Sequence, residues 1–153
     1  MSDHNHPMKI LDAYRLAAQL HSGQLDKAGR PYIEHLSRVF LRVMHAGGDR
    51  DQQIAALLHD TIEDGKASAE SLAAAGVPKG AIVLTQVLTR PAGQDYMAYL
   101  REVLKEPRAV PVKLADLDDN SDPDRLALLD AGDAARLAKK YQRAIQFLNS
   151  GSA

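Results

Sequence analysis

"ALLHDTIEDG", residues 56–65, decides how this chain folds and what it carries. Ala56, Leu57 and Leu58 read as the core face of a helix. Directly after them His59, Asp60, Glu63 and Asp64 place four ionisable side chains within six positions. Ile54, Leu57, Leu58, Thr61 and Ile62 recur at helical spacing and form the apolar side. His59 and Glu63 are one turn apart, as are Asp60 and Asp64, and residues so spaced are neighbours on a helix surface. The segment therefore carries two tiers, His59 with Asp60 and then Glu63 with Asp64, at the boundary of a buried face. Acidic groups near a helix C-terminus oppose the helix dipole, so stability does not account for them.

Working outward, Asp49 followed by Gln52 resembles a capping box, and Gly65 suits the C′ position, so the third helix is expected over 49–65. Upstream, "PMKILDAYRLAAQLH" sets Ile10, Leu11, Tyr14, Ala17, Ala18 and His21 at helical spacing. "GQLDKAGRP" is a loop, punctuated by Gly23 and Gly29. "PYIEHLSRVFLRVMHAGG" is a second helix, opened by Pro31 and closed by a Gly pair. Downstream, "SAESLAAAG" is a short helix. "PKGAIVLTQVLTR" is rich in β-branched residues, but a lone strand has no partner here, and Val83, Val87 and Leu88 fit a helix. "GQDYMAYLREVLKE", "PRAVPVKLADLDDN" and "DAARLAKKYQRAIQFLN" complete the series. The expectation is an all-α bundle of about seven or eight helices. It forms a single domain over 1–153, with 1–6 and 150–153 as tails.

Bulk properties narrow the function. The 153 residues suffice to bury a core, and 45% hydrophobic with 25% charged residues is ordinary globular composition. The net charge of −1 shows no basic excess, which argues against a nucleic-acid partner. No apolar run is long enough for a membrane span, and the first nine residues lack the apolar stretch of a signal peptide. With no cysteine, disulfides and thiolate metal sites are excluded. The expected location is cytoplasmic. Nothing chooses between a monomer and a homo-oligomer.

A His–Asp tier offers nitrogen and oxygen ligands for a divalent cation, but two ligands do not hold a catalytic ion. His35 in "YIEHL" and Asp116 in "VKLAD" can complete the set. Two histidines and two aspartates suit one Mn²⁺, Fe²⁺, Zn²⁺ or Mg²⁺ ion. Glu63 and Asp64, one tier on, can take a proton from a water or give one to a leaving group. Phosphate ligands would need cations, supplied by Lys27, Arg30, Arg90, Lys113, Lys139, Lys140 and Arg143; Lys27, on the loop nearest His35, is the leading substrate contact. Lys113 is a weaker one. The acidic run "DLDDNSDPD" fails as a calcium loop, because position 6 is Ser121 and position 12 is Ala127. Asp122 before Pro123 reads as a cap or turn residue. Tyr32 and Tyr141 read as packing residues; Tyr96 and Tyr99, three apart on one helical face, read as packing residues, with the lining of a base pocket as the alternative. His21 and His45 read as capping or packing residues, and His4 and His6 as adventitious ligands.

"HSGQLDKAGRPYIEH", "ALLHDTIED" and "VKLADLDDN", in this order, resemble the HD-domain hydrolases of the RelA/SpoT homologue family, most of all its stand-alone small alarmone hydrolases. The matched stretch runs from about residue 10 to residue 147. The resemblance implies an all-helical HD domain with one Mn²⁺ on His35, His59, Asp60 and Asp116. It implies Glu63 and Asp64 as the catalytic pair, and Asn120 as a residue that holds the nucleotide. The implied reaction removes the 3′-pyrophosphate from (p)ppGpp. The chain departs from the pattern before "PY", where several members carry an Arg that stacks on guanine and this chain has Asp26 and Lys27. An Asp cannot stack as a guanidinium plane does, so (p)ppApp joins (p)ppGpp as an expected substrate. A further departure puts Asp118 and Asp119 beside the site. The alternatives are another HD-type nucleotide phosphohydrolase and a non-catalytic, nucleotide-sensing HD domain.

Overall fold

The structure is a computed structural model and describes residues 7–151. Its described residues form helices α1 (Ile10–Leu20), α2 (Tyr32–His45), α3 (Arg50–Leu58), α4 (Ala69–Ala74), α5 (Lys79–Val87), α6 (Tyr96–Leu104), α7 (Val110–Asn120), α8 (Pro123–Leu126) and α9 (Ala131–Gly151). The all-α expectation holds. The helix beyond the expected eight is α8, a single turn that Asp122 caps by accepting from the Asp124 N–H at 2.8 Å. The chain's one extended contact among the described residues is an isolated antiparallel bridge between Leu25 and Pro31, which pinches the loop before α2. His4, His6 and the expected tail over 1–6 lie outside the described residues, as do 152 and 153. Ser150 and Gly151, expected in a tail, are the last residues of α9. Among the described residues no helix is long and apolar enough to cross a membrane.

Helix α3 is the axis of the fold. Asp49 caps it as expected, accepting from Gln52 N–H at 2.9 Å while the Gln52 side chain accepts from Asp49 N–H at 2.9 Å. Its residues Ile54, Ala55, Ala56, Leu57 and Leu58 are all fully buried. A helical segment apolar on every side, as residues 54–58 are, must be enclosed on every side, and α1, α2, α5 and α7 pack around this helix. Ala55 and Ala56 face one core cluster, shared with α2, α5, α6, α7 and α9. Ile54, Leu57 and Leu58 face a second, shared with α1, α2, α4 and α5. The C-terminus of α3 therefore opens into the middle of the molecule.

The helix stops earlier than expected, at Leu58 rather than Asp64. Two side chains take the carbonyls that would continue it: His59 Nδ1 lies 2.8 Å from Ala56 O, and Thr61 Oγ1 donates to Leu58 O at 2.8 Å. Such local bonds compete with the helical ladder. The chain proceeds through hydrogen-bonded turns to Gly65 at φ +72°, where Lys66 N–H reaches Thr61 O at 2.8 Å and Gly65 N–H reaches Ile62 O at 3.0 Å. That pair of bonds is a Schellman closure, so Gly65 does take the left-handed C′ position.

Two expected faces are corrected. In α1 the buried stripe is Ala13, Ala17 and His21, whereas Leu11 is 56% exposed. In α5 Val83 is exposed, and Ala81, Ile82, Leu84 and Thr85 face inward.

Candidate active site

Four side chains from three elements meet where α3 ends. His35 comes from the first turns of α2, His59 and Asp60 from the turn directly after α3, and Asp116 from the middle of α7. One ligand-type atom from each lies within 4.8 Å of every other. Asp116 Oδ1 is the hub, 3.0 Å from His35 Nε2 and 3.2 Å from His59 Nε2, and Asp60 Oδ2 lies 3.1 Å from His59 Nε2.

Around this cluster the remaining polar atoms are held. His59 Nδ1 faces the Ala56 carbonyl and His35 Nδ1 faces Asp119 Oδ2 at 2.7 Å. Carbonyl and carboxylate oxygens only accept, so both Nδ1 atoms carry hydrogen and both Nε2 atoms turn to the cluster. Tyr32 donates its hydroxyl to Asp60 Oδ2, Lys113 Nζ donates to Asp116 Oδ2 at 3.0 Å, and Asn120 Nδ2 donates to Asp116 Oδ1 at 3.3 Å.

The electrostatics ask for a cation. Burial lowers the pKa of His59, but Asp60 and Asp116 outweigh it and hold the imidazole well above its ordinary range. Burial likewise works against the Asp116 carboxylate, and Lys113 and His59 outweigh it, holding its pKa well below the ordinary range. Clustered carboxylates with convergent imidazole nitrogens are the donor set of one divalent ion of the Mn, Fe, Zn or Mg kind. The residues present fit such an ion.

Two cavities open on the cluster. The larger, about 320 Å³, has an apolar wall of Leu126, Leu129 and Leu137, and carries Lys27, Glu63 and Asp64 on its polar side. The smaller, about 160 Å³, is lined by Arg90, Lys113 and Lys140 together with Tyr96 and Tyr99. Asp60, Glu63, Asn120 and Tyr141 border both. A roomier surface groove of about 810 Å³ beside Lys9 and Asp12 holds none of the expected site residues.

The expected residues thus fall around one centre. Glu63 Oε1 accepts from the Arg90 backbone N–H at 2.7 Å, and burial, with repulsion from Asp60 and Asp64, raises its pKa above the ordinary carboxylate range despite that bond. Asp64 Oδ2 accepts from Gln24 Nε2 at 3.0 Å. Lys27 stands exposed at the larger cavity, and Asn120 lies between the two. Arg30, by contrast, is tied to Glu34 at 2.6 Å and borders neither cavity.

Several residues of the centre escaped the sequence reading. Tyr32 is not only a packing residue, since it holds Asp60; its place one turn before His35 was the available signal. Tyr96 and Tyr99 both line the smaller cavity: Tyr96 lies beneath Lys140, whose Nζ is 4.5 Å from its ring centroid, and Tyr99 is also packed as expected and donates to Leu88 O at 2.6 Å. Tyr141 is buried as expected and also walls both cavities. Asp119, expected beside the site, is fully buried behind His35, and Arg125, which the sequence reading missed, lies behind Asp119. His21 packs on Tyr32 with ring centroids 5.0 Å apart, and His45 lies exposed in the last turn of α2.

An all-helical bundle that converges two histidines and two aspartates on one point defines a candidate divalent-metal centre. The model of the HD domain matches residues 13–117, and the chain belongs to that family. Among its relatives, a guanosine-3′,5′-bis(diphosphate) 3′-pyrophosphohydrolase of Aquifex aeolicus is 31% identical over 122 residues, 75% of this chain and 18% of that protein. A probable guanosine-3′,5′-bis(diphosphate) 3′-pyrophosphohydrolase of Synechocystis is 31% identical over 117 residues, 70% of this chain and 15% of that protein. The chain thus spans less than a fifth of these relatives. Its fold matches a solved metazoan ortholog of SpoT, described as hydrolysing ppGpp, with TM-score 0.72 and 23% identity, over 97% of this chain and 94% of the other.

Proposed function

We propose that this chain is a metal-dependent phosphohydrolase that removes the 3′-pyrophosphate from alarmone nucleotides, (p)ppGpp or (p)ppApp, and acts as one hydrolase domain in the cytoplasm. The observation that carries the reading is the cluster of His35, His59, Asp60 and Asp116 within 4.8 Å, with Glu63 bordering both cavities that open on it. Two relatives named as 3′-pyrophosphohydrolases support the substrate class.

The four clustered residues would hold the ion, which we take to be Mn²⁺. When bound, such an ion supplies the positive charge that offsets charge developing on a phosphoryl group and makes a water more acidic. The chain's own groups supply the rest. Glu63 and Asp64 hold and move protons: one carboxylate takes a proton from the attacking water, and the departing ribose 3′-oxygen gains one. The bond from water oxygen to phosphorus forms as the bond from phosphorus to the 3′-oxygen breaks. The leucine-walled cavity suits the nucleoside, with Lys27 at its mouth. The smaller cavity, with Arg90, Lys113 and Lys140, suits the diphosphate that leaves as pyrophosphate. Asn120, between them, spans the scissile position.

A discriminating experiment measures pyrophosphate release from ppGpp and pppApp side by side with Mn²⁺. Turnover of ppGpp supports guanine use despite Asp26, and turnover of pppApp alone assigns the base to adenine. Release of orthophosphate from other nucleotides instead would favour a different HD-type nucleotidase. Nucleotide binding with no turnover of any substrate would leave a sensor.

A further inference from the structure

Two acidic residues, Asp26 in the loop and Asp119 behind the proposed metal centre, share one partner. Arg125 Nη2 donates to Asp26 Oδ2 at 2.9 Å, and Arg125 Nη1 donates to Asp119 Oδ2 at 2.8 Å. The same Asp119 oxygen receives His35 Nδ1 at 2.7 Å, while Arg38 Nε holds Asp119 Oδ1 at 2.7 Å. At the far end, Asp26 Oδ1 accepts the backbone N–H groups of Ala28 and Arg30, both at 2.9 Å, so it organises the loop that carries Lys27. A continuous line of charge-assisted bonds therefore joins the wall of the nucleoside cavity to the back of a metal-ligand histidine. Asp119 and His35 are buried in it, and the Asp26 side chain is only 4% exposed.

We propose that Arg125 is a positioning residue that couples the loop of residues 24–31 to His35 through Asp119, so that the affinity of the centre for a divalent ion depends on a bond made in the nucleoside cavity. The inference rests on the proposed metal centre. The physical reason is orientation. A histidine ligand is effective when its second nitrogen is held, because that fixes the ring and the tautomer. Here the holder, Asp119, is itself held, and a planar guanidinium that bridges two carboxylates cannot be replaced by a point charge. By linkage, a nucleotide that engages the loop and an ion at the centre then favour each other's binding.

The sign of one substitution separates this coupling from bulk electrostatics. Arg125→Gln removes a positive charge near the centre. Charge alone predicts tighter binding of a cation, whereas coupling predicts weaker binding. The experiment titrates Mn²⁺ alone into chelator-stripped protein by calorimetry. It adds ¹⁵N NMR of the His35 ring and thermal melts to confirm folding.

The expected result is Mn²⁺ binding weakened about 10-fold in Arg125→Gln, within the range for loss of an outer holder of a metal ligand. Arg125→Lys should not restore it, and the Nδ1–H signature of His35 should be lost in both. Asp26→Asn should shift the same His35 signal, and Arg30→Gln, on the same loop but paired with Glu34, should not. Unchanged or tighter Mn²⁺ binding in folded Arg125→Gln overturns the coupling. If Arg125→Gln does not fold, Asp26→Asn decides, and an unmoved His35 signal overturns the coupling. Wild-type protein that binds no divalent ion removes both the metal centre and the coupling. Wild-type binding that is indifferent to Arg125 removes the coupling alone.

Discussion

Lys113 Nζ lies 3.0 Å from Asp116 Oδ2, while the other oxygen of the same carboxylate faces His35 and His59 at 3.0 and 3.2 Å. One Asp thus anchors a nearly buried ammonium with one oxygen and serves the candidate metal centre with the other. Asp116→Asn is expected to abolish divalent-ion binding and hydrolysis together. It also strands Lys113, and breaking a buried pair costs on the order of 3 kcal/mol. Urea denaturation of the metal-free protein should show that loss. The double variant with Lys113→Met should recover part of it, and strictly additive losses would refute the pairing.

Glu63 is the second test. Glu63→Gln keeps an oxygen for the Arg90 N–H, so ion binding should persist while kcat falls roughly 10²-fold or more, the scale of a lost proton-transfer group. Burial raises the pKa of Glu63, with repulsion from Asp60 and Asp64 adding to it. A base works deprotonated, so the rate should fall as pH drops through a value above the ordinary glutamate pKa of about 4.3. Gln at this position should remove that limb of the profile. An unchanged kcat excludes Glu63 from the chemistry.

Asp26 supplies a stability test. Burial opposes its carboxylate, but the Arg30 N–H, the Arg125 guanidinium and the Ala28 N–H outweigh burial and hold its pKa below the usual range. A carboxyl depressed in the folded state stabilises fully above its unfolded pKa of about 3.9, and that contribution is lost as pH falls through the folded value. Asp26→Asn should therefore melt below wild type at pH 7, with the two melting temperatures converging as pH falls through the depressed folded-state value. A constant gap across that range would show that the charge is not responsible.

Leu57 is fully buried at the centre of the second core cluster. Leu57→Ala should cost about 2–5 kcal/mol through lost burial and the cavity left behind. Chemical denaturation reads this directly; a loss under about 1 kcal/mol would mean that α3 is not the axis of the fold.

What the sequence made legible, and what it hid, divides along one physical line. Periodicity exposed α3, its cap at Asp49 and the turn at Gly65, because these depend on residues a few positions apart. The convergence of His35, His59, Asp60 and Asp116 was anticipated from their chemistry and from motif order. The end of α3 was misplaced by six residues, 64 against 58, because His59 and Thr61 bind carbonyls only once the buried surroundings are in place. Lys113, one turn before Asp116, was within reach of a helical reading and was underrated. Arg125 left no trace, since its role depends on a four-residue helix and on partners 99 and 6 positions away.

The hub contact between His35 and Asp116 closes across 81 residues of chain. During synthesis, the centre cannot exist until α7 has left the ribosome and docked beside α2. Incomplete chains and products of early termination then lack the four-residue cluster, however much of the N-terminal helical structure they form. Binding of a divalent ion becomes, in the same way, a stringent assay of whether a preparation has reached its complete fold.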